Sequence, residues 1–92
     1  MVENNFTFRQ AQKEEYTKLL LEDRKLPKLP FPIDHVSYLD GCKVFFKDGG
    51  WVSARFSGTE PLLRVFCEMK EEADAKLVCE IYRQFLGLSG QQ

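Results

Sequence analysis

The chain has 92 residues, of which 43% are hydrophobic, and a formal net charge of −1 at pH 7. This length suits one domain with a single core, and the apolar content argues against a disordered chain. The near-neutral charge provides no overall field to attract nucleic acid or an anionic membrane, so a binding site for anions has to be local.

The cysteines and the N-terminus indicate a protein of the cytoplasm. The three cysteines, Cys42, Cys67 and Cys79, include no Cys-x-x-Cys pair, and an odd number cannot all pair within one chain. We therefore expect reduced, buried thiols. No apolar run reaches the length of a membrane span, and MVENNFTF lacks the basic and apolar regions of a signal peptide. The expectation is a cytoplasmic protein that binds neither membrane nor nucleic acid.

The first elements predicted along the chain are a short strand and a helix. NNFTFRQ is a candidate strand with Phe6 and Phe8 on one face. In QAQKEEYTKLLLEDRK, Tyr16, Leu19, Leu20 and Asp23 lie at helical neighbour spacing, while Glu15 and Lys18 fall on the side expected to face solvent. This pattern predicts a helix from about residue 10 to 25.

A proline-rich segment ends that helix. KLPKLPFP carries three prolines within six residues, which remove amide donors and disfavour helix before each ring. We expect residues 25–33 to form an extended connector within the domain, with its apolar side chains lying along the surface of the core. The alternative is a proline-rich ligand for a recognition domain.

From His35 onward the pattern changes to strands. The segments HVSYL, CKVFF, WVSAR and LLRVFCEM alternate apolar with other residues, and the turn signals DG and KDGG separate the first three. In the fourth segment, Leu63, Val65 and Cys67 fall on one face. Consecutive strands in such a meander pair in antiparallel fashion.

The C-terminal segment predicts a second helix. Ala73, Leu77, Ile81 and Phe85 recur every four residues, flanked by Val78 and Tyr82 at the three-four spacing. Acidic residues in the first turn favour the helix dipole. Gly87 can adopt the left-handed conformation that ends a helix. The final letters, GLSGQQ, are expected to be a free chain end.

Together these elements predict an α+β fold. We expect a two-layer sandwich in which two helices pack on a mostly antiparallel sheet of four to five strands. Residues 1–92 would form a single domain.

The segment ARFSGTEPLLR, between the last two strands, collects groups that can bind a phosphate. Gly58 permits positive φ, so that successive amides can turn inward toward an anion. Ser57 and Thr59 can each donate a hydroxyl. Arg55 offers a planar fork that matches two phosphate oxygens, and Arg64 can add positive charge from the next strand.

Two other loop residues are assigned structural roles. Pro61 limits the freedom of the chain as it re-enters the sheet. Glu60 would repel a phosphate, so we expect it to pair with Arg64 or to hold loop amides from behind. The alternative for the whole stretch is an ordinary polar turn with solvated arginines, because Ser, Gly, Thr and Pro are common turn residues. The loop is not a nucleotide P-loop, since the lysine of Gly-Lys-Ser/Thr is missing.

A family resemblance adds to this interpretation. RFSGTEPLLRVFCEM, preceded by DGCKVFFKDGGWVSA, resembles the last domain of the α-D-phosphohexomutases, which include phosphoglucomutases, phosphomannomutases and phosphoglucosamine mutases. The resemblance runs from about residue 5 to 88, and it implies a sheet flanked by helices. It also implies that the loop grips the sugar's non-reacting phosphate. By motif position, the contacts would be Arg55, Ser57, Gly58 and Thr59. The place of Arg64 in the motif is less fixed.

The resemblance implies, too, which parts of the enzyme lie elsewhere. The family's phosphoserine, magnesium and sugar-reading loops belong to three preceding domains, and no segment here matches them. We therefore expect no catalytic residue, metal ligand or cofactor in this chain, and His35, the only histidine, has no further ligands spaced nearby. The longer enzyme would use Mg²⁺ and a hexose 1,6-bisphosphate activator.

Two functions follow from the sequence. In one, the chain is the phosphate-clamp domain of a phosphoglucomutase or phosphomannomutase, inactive alone, with a phosphoglucosamine mutase as the other possible parent. Its partners would then be the three preceding domains and a weakly bound phosphorylated hexose. In the other, the chain is a free-standing binding module for phosphorylated ligands or a protein partner. The sequence does not identify the hexose, because the sugar-reading loop lies elsewhere.

Overall fold

A computed structural model describes residues 1–87, which form five strands and two helices in two layers. The elements are β1 (Val2–Thr7), α1 (Gln10–Thr17), β2 (Ile33–Ser37), β3 (Cys42–Phe46), β4 (Trp51–Phe56), β5 (Leu62–Glu68) and α2 (Glu72–Leu86). The strand order is β1-β5-β4-β3-β2, and every neighbouring pair is antiparallel. The predicted meander and the α+β fold class are confirmed, and β1 adds a strand at the β5 edge.

One face of the sheet carries the core. The strand register places Cys42 opposite Ala54 and Ala54 opposite Val65, so the buried positions form continuous rows across the sheet. Because side chains alternate along a strand, the residues between them face away from the helices. The core-facing residues of β3, β4 and β5 are Cys42, Val44, Phe46, Val52, Ala54, Leu63, Val65 and Cys67. The alternation in the sequence predicted this face.

The first helix is shorter than predicted. After Thr17 the helix continues as one π-helical turn, Lys18–Glu22, in which the Asp23 N–H donates to the Lys18 carbonyl oxygen. Arg24 then has a φ of 53°, a left-handed conformation that a right-handed helix cannot contain. The helix therefore ends at Glu22 rather than near residue 25.

The connector between α1 and β2 packs along the core. Residues 24–32 contain no helix or strand. Pro27 is buried, and Phe31 contacts Phe46 edge to face with 5.8 Å between ring centroids. Leu26 and Leu29 are partly buried against the core. The apolar side chains of this segment therefore pack against the core of the same chain.

The second helix forms where expected, and its buried face agrees in part with the predicted pattern, since Val78 and Tyr82 are buried. Ala73 is exposed and Leu77 is 45% exposed. Steps of four residues rotate by about 40° beyond a full turn, so the stripe from Ala73 to Phe85 drifts by about 120° around the helix. Spacings that mix three and four residues stay on one side. The buried residues of α2 are Ala75, Val78, Cys79, Tyr82 and Leu86.

The C-terminal end of α2 follows the prediction. Gly87 has φ 66° and ψ 24°, the left-handed conformation, and its N–H donates to the carbonyl oxygens of the last turn. The predicted free chain end concerns residues 88–92, which lie outside the described residues.

The cysteines are free and buried, as predicted. Cys42, Cys67 and Cys79 form no disulfide with one another. Burial raises the pKa of the Cys42 thiol, because the charged thiolate is poorly solvated in the core. Their contribution is apolar packing between the sheet and α2.

The DG turn generates a first prediction. Gly41 has a φ of 76°, and a Cβ at this position would lie 2.5 Å from the Ala54 carbonyl oxygen. We expect Gly41→Ala to lower the free energy of unfolding by about 2–4 kcal/mol, since the alanine adds both backbone strain and a steric clash. Urea denaturation measures this loss. The matched control is Gly58→Ala, whose Cβ meets nothing within 4 Å and which should change stability by less than about 1 kcal/mol. Equal losses in both variants would contradict the steric explanation.

A buried hydroxyl generates a second prediction. Tyr82 is fully buried, and its hydroxyl has no hydrogen-bond partner within residues 1–87. Burial accordingly raises the pKa of this phenol. We expect Tyr82→Phe to raise the free energy of unfolding by about 1 kcal/mol, because the folded state no longer holds an unsatisfied polar group.

The control for this prediction is Tyr16→Phe. The Tyr16 hydroxyl accepts a hydrogen bond from the Gln12 side-chain amide at 3.4 Å, so its removal should not stabilise the protein. Thermal unfolding compares the two variants. A lower melting temperature for Tyr82→Phe would show that its hydroxyl has a partner after all.

Candidate functional site

The candidate site lies at the end of the sheet where β4 turns into β5. Loop residues 57–61 connect the two strands, and the Ser57 N–H donates to the Leu62 carbonyl oxygen at 2.9 Å, which closes the loop at its base. The Leu62 N–H donates to the Glu60 carbonyl oxygen at 2.8 Å. The loop is therefore a short, hydrogen-bonded turn whose position depends on the β4–β5 pairing.

That pairing sets two arginines directly opposite each other. Arg55 of β4 faces Arg64 of β5 across the ladder, on the side of the sheet away from the helices. Like charges at such a position repel and destabilise a sheet. Arg64 is half-buried, and its guanidinium forms no ion pair within residues 1–87. An anion bound between the two guanidinium groups would reduce their repulsion and stabilise this arrangement.

Asp40 provides one negative charge to this pair. Arg55 Nη1 donates to Asp40 Oδ2 at 2.9 Å, and the two side chains are 50% and 73% exposed. An ion pair this exposed contributes about 0–1 kcal/mol and leaves other N–H groups of the guanidinium available. The sequence reasoning did not include Asp40 in the site. The register that pairs Cys42 with Ala54 is the feature that brings the DG turn beside Arg55.

The Ser57 side chain organises the loop. Its Oγ accepts hydrogen bonds from the N–H groups of Thr59 and Glu60, both at 3.3 Å. These two amides thus point at the serine oxygen and not at an external anion. The hydroxyl hydrogen of Ser57 is left free to donate to a ligand.

Gly58 does not have the conformation that the sequence suggested. Its φ lies outside the left-handed region, so the expectation of a positive φ is wrong. The reason is that the Ser57 hydroxyl oxygen accepts hydrogen bonds from the Thr59 and Glu60 N–H groups, so the turn does not need a left-handed residue at Gly58. A Cβ on Gly58 would meet nothing within 4 Å and would point into open space. The absent side chain therefore leaves room for a ligand near the backbone.

The two predicted structural residues act through their carbonyl groups. Within residues 1–87, the Glu60 carboxylate neither pairs with Arg64 nor accepts loop amides, while its backbone oxygen accepts the Leu62 N–H. The Pro61 carbonyl oxygen accepts the Phe8 N–H at 3.1 Å. This bond joins the loop to the end of β1.

An open cavity of about 490 Å³ lies in front of the loop. This volume is within the range of clefts that bind small ligands. The residues that line the cavity include Asp40, Arg55, Ser57, Gly58, Arg64 and Phe66. Four of the five predicted phosphate contacts thus surround one space, and Thr59 is not part of the lining. Their role as phosphate contacts stays a prediction.

A lysine from α1 reaches the loop from the other side. Lys13 Nζ donates to the Ser57 carbonyl oxygen at 3.3 Å, across a separation of 44 residues. The sequence reasoning missed this residue, because nothing in the local pattern of α1 distinguishes Lys13 from a solvated lysine.

Comparison with known proteins identifies the family of this chain. The family described as "Phosphoglucomutase/phosphomannomutase, C-terminal domain" matches residues 6–84, which include β4, the loop and β5. This chain belongs to the phosphoglucomutase/phosphomannomutase C-terminal domain family. The resemblance to the α-D-phosphohexomutases is thereby confirmed.

Relatives of this C-terminal domain carry mutase names. A phosphoglucomutase/phosphomannomutase of Thermococcus kodakarensis is 50% identical over 42 residues, which cover 46% of this chain and 9% of the relative. A probable phosphoglucosamine mutase of Methanothermobacter thermautotrophicus is 39% identical over 51 residues, covering 55% of the chain and 11% of the relative. Another, from Methanosphaera stadtmanae, is 28% identical over 89 residues, covering 92% of the chain and 20% of the relative. The chain therefore spans about a fifth or less of these relatives' length.

The serine-centred loop of this C-terminal domain generates a third prediction. We expect Ser57→Ala to speed hydrogen exchange of the Thr59 and Glu60 amides and to lower the free energy of unfolding by about 1 kcal/mol, because both amides lose their acceptor. Hydrogen exchange followed by NMR measures the rates. Thr59→Ala is the control, since its hydroxyl makes no hydrogen bond within residues 1–87. Unchanged exchange in Ser57→Ala would contradict the assigned role of the hydroxyl.

Proposed function

We propose that this chain is the phosphate-clamp domain of a phosphohexomutase, an isomerase that transfers a phosphoryl group within its hexose substrate. The domain would bind the phosphate that is not reacting, in the hexose phosphate or in the bisphosphate intermediate. The observation that carries the proposal is the facing pair Arg55 and Arg64, which borders an open cavity together with the Ser57–Gly58 segment.

The charges of the cavity suit a phosphate dianion. Its lining contains two guanidinium groups and one carboxylate, so the local charge is positive although the whole chain is slightly acidic. Guanidinium groups match phosphate oxygens with two parallel hydrogen bonds, which are charge-assisted and stronger than neutral ones. The Ser57 hydroxyl can donate to the same ligand without adding charge.

The chemistry of a mutase explains why such a clamp would be useful. The bisphosphate intermediate has to be held in either of two orientations, so that each phosphate in turn faces the catalytic serine. A clamp that contacts only the distant phosphate serves both orientations. It supplies binding energy remote from the reacting centre, which positions the other end of the sugar.

Residues 1–87 do not fit the metal that the family implies. Among the residues that the structure describes, no group of three or more His, Cys, Asp or Glu side chains is arranged to hold a metal ion. We propose that Mg²⁺ and the hexose 1,6-bisphosphate activator are bound by the three preceding domains, which are also the protein partners of this one. Catalysis would then take place there and not on this chain.

The names of the relatives bear on the sugar that the longer enzyme would use. The relatives are named for phosphoglucomutase, phosphomannomutase and phosphoglucosamine mutase activities. We favour glucose or mannose phosphates, with glucosamine phosphate as the alternative. Up to Gly87, no helix has both the length and the apolar character needed to cross a bilayer. A cytoplasmic location is part of the proposal.

The clamp generates a fourth prediction, which a titration of the ¹⁵N-labelled chain tests. Inorganic phosphate and glucose 1-phosphate should shift the same backbone amides, confined to residues 55–64, with dissociation constants of about 1 mM or weaker. Arg55→Gln should weaken binding by at least about 10-fold, because it removes a charge-assisted hydrogen bond. Arg55→Lys should recover only part of the affinity, since an ammonium lacks the planar fork.

The matched control is Arg83→Gln, which removes the same charge from α2, away from the cavity lining. It should bind phosphate as the wild type does. Equal weakening in both variants would mean that only the net charge matters. Absence of any shift at tens of millimolar phosphate would overturn the clamp. Shifts that require one particular sugar would instead favour a free-standing module with its own specificity.

A further inference from the structure

We propose that Lys13 is a positioning residue for phosphate binding. From α1, its ammonium group holds the peptide between Ser57 and Gly58 so that the Gly58 N–H faces the cavity. This inference rests on the proposed function, because it concerns how the same site is built.

Aromatic packing beside it supports the contact between Lys13 and the Ser57 carbonyl group. Lys13 Nζ donates to the Ser57 carbonyl oxygen at 3.3 Å. Near it on α1, the Tyr16 ring packs edge to face on Phe8 at 5.3 Å, and Phe8 packs edge to face on Phe56 at 6.0 Å. Phe56 directly precedes Ser57. These edge-to-face contacts among three rings hold α1 against the end of β4, and Lys13 reaches the loop from there.

Because the peptide bond is planar, the contact between Lys13 and the Ser57 carbonyl oxygen also fixes the direction of the Gly58 N–H. In a trans peptide the C=O and the following N–H point in opposite directions, and residues 1–87 contain no cis peptide. Because the Ser57 C=O is directed at Lys13 on α1, the Gly58 N–H is directed away from α1. Gly58 also lines the cavity beside Arg55 and Arg64, which lie on the sheet face opposite the helices.

The hydrogen bonds of the other loop amides also indicate that the Gly58 N–H is available to a ligand. The Ser57 N–H donates to Leu62, and the N–H groups of Thr59 and Glu60 donate to the Ser57 hydroxyl oxygen. Pro61 has no N–H. In the segment 57–61, Gly58 is therefore the residue whose amide makes no hydrogen bond to any group of residues 1–87. Gly58 is exposed, so its N–H beside the two arginines is open to a ligand oxygen.

The positive charge of Lys13 is not neutralised by a neighbour. No carboxylate lies within ion-pair distance of its ammonium among residues 1–87, and the side chain is half-buried. An ammonium that contacts a carbonyl oxygen withdraws electron density from that peptide and makes its N–H a better donor. Lys13 would thus strengthen the Gly58 donor as well as orient it, without touching the phosphate.

The test compares Lys13→Met with wild type in a titration of the ¹⁵N-labelled chain with inorganic phosphate. We expect Lys13→Met to weaken binding by about 3- to 10-fold, the factor that corresponds to one hydrogen bond, and to reduce the phosphate-induced shift of the Gly58 amide. Lys13→Arg keeps a donor at this position and should bind within about 2-fold of wild type.

Two further variants control for the loss of charge and for misfolding of Lys13→Met. Lys28→Met removes the same charge from an exposed position of the connector and should leave both the affinity and the Gly58 shift unchanged. If Lys13→Met does not fold, Lys13→Gln, whose shorter side chain has no ammonium, takes its place in the same comparison.

The outcomes distinguish this inference from the proposed function. Phosphate binding by the wild type, with equal affinity and an equal Gly58 shift in Lys13→Met, would overturn the role of Lys13 and leave the clamp intact. Equal weakening by Lys13→Met and Lys28→Met would overturn it too, because charge alone would explain the effect. No binding by the wild type would overturn the clamp and the inference together.

Discussion

The register of β4 with β5 is the constraint on which the rest of the structure depends. A shift of one residue would exchange the faces of a strand, placing Arg64 in the core and Leu63 in solvent. Burying an aliphatic side chain contributes about 1.5–3 kcal/mol, whereas facing like charges across a ladder costs about 1 kcal/mol or less. Burial of Leu63 and Val65 therefore prevails and holds Arg55 opposite Arg64. The core supplies the stability that keeps two repelling cations together.

The loop above this pair is supported from one side and open on the other. On the helix side, Phe8 bonds to the Pro61 carbonyl and Lys13 bonds to the Ser57 carbonyl. On the cavity side lie the arginines and Gly58, and a Cβ on Gly58 would have no atom of residues 1–87, apart from its chain neighbours, within 4 Å. If the clamp acts as proposed, this arrangement lets a phosphate enter without rearranging the loop. A preformed site loses less entropy on binding than a flexible one.

The elements of the fold were predictable where the signal is local. Period-two alternation in CKVFF and LLRVFCEM reports which side chains share a face, so the sheet interior followed from the sequence. The buried side of α2 followed only in part, because Val78 and Tyr82 are buried but the run of apolar residues at intervals of four drifts around the helix. Only packing on the sheet decides that Leu77, an apolar residue of the same pattern, is 45% exposed. Likewise, the positive φ of Arg24, which ends the first helix, has no signature in residue type.

The candidate site divides in the same way. Arg55, Ser57 and Arg64 lie in one hairpin, so the sequence by itself determined that they come together, and it also determined the family. The tertiary structure decided the rest. Asp40 and Lys13 reach the hairpin from 15 and 44 residues away, and their contacts exist only because β3 and α1 pack beside it. Short-range patterns record which residues neighbour one another along a strand or helix, whereas contacts between elements depend on how the whole chain buries its apolar surface.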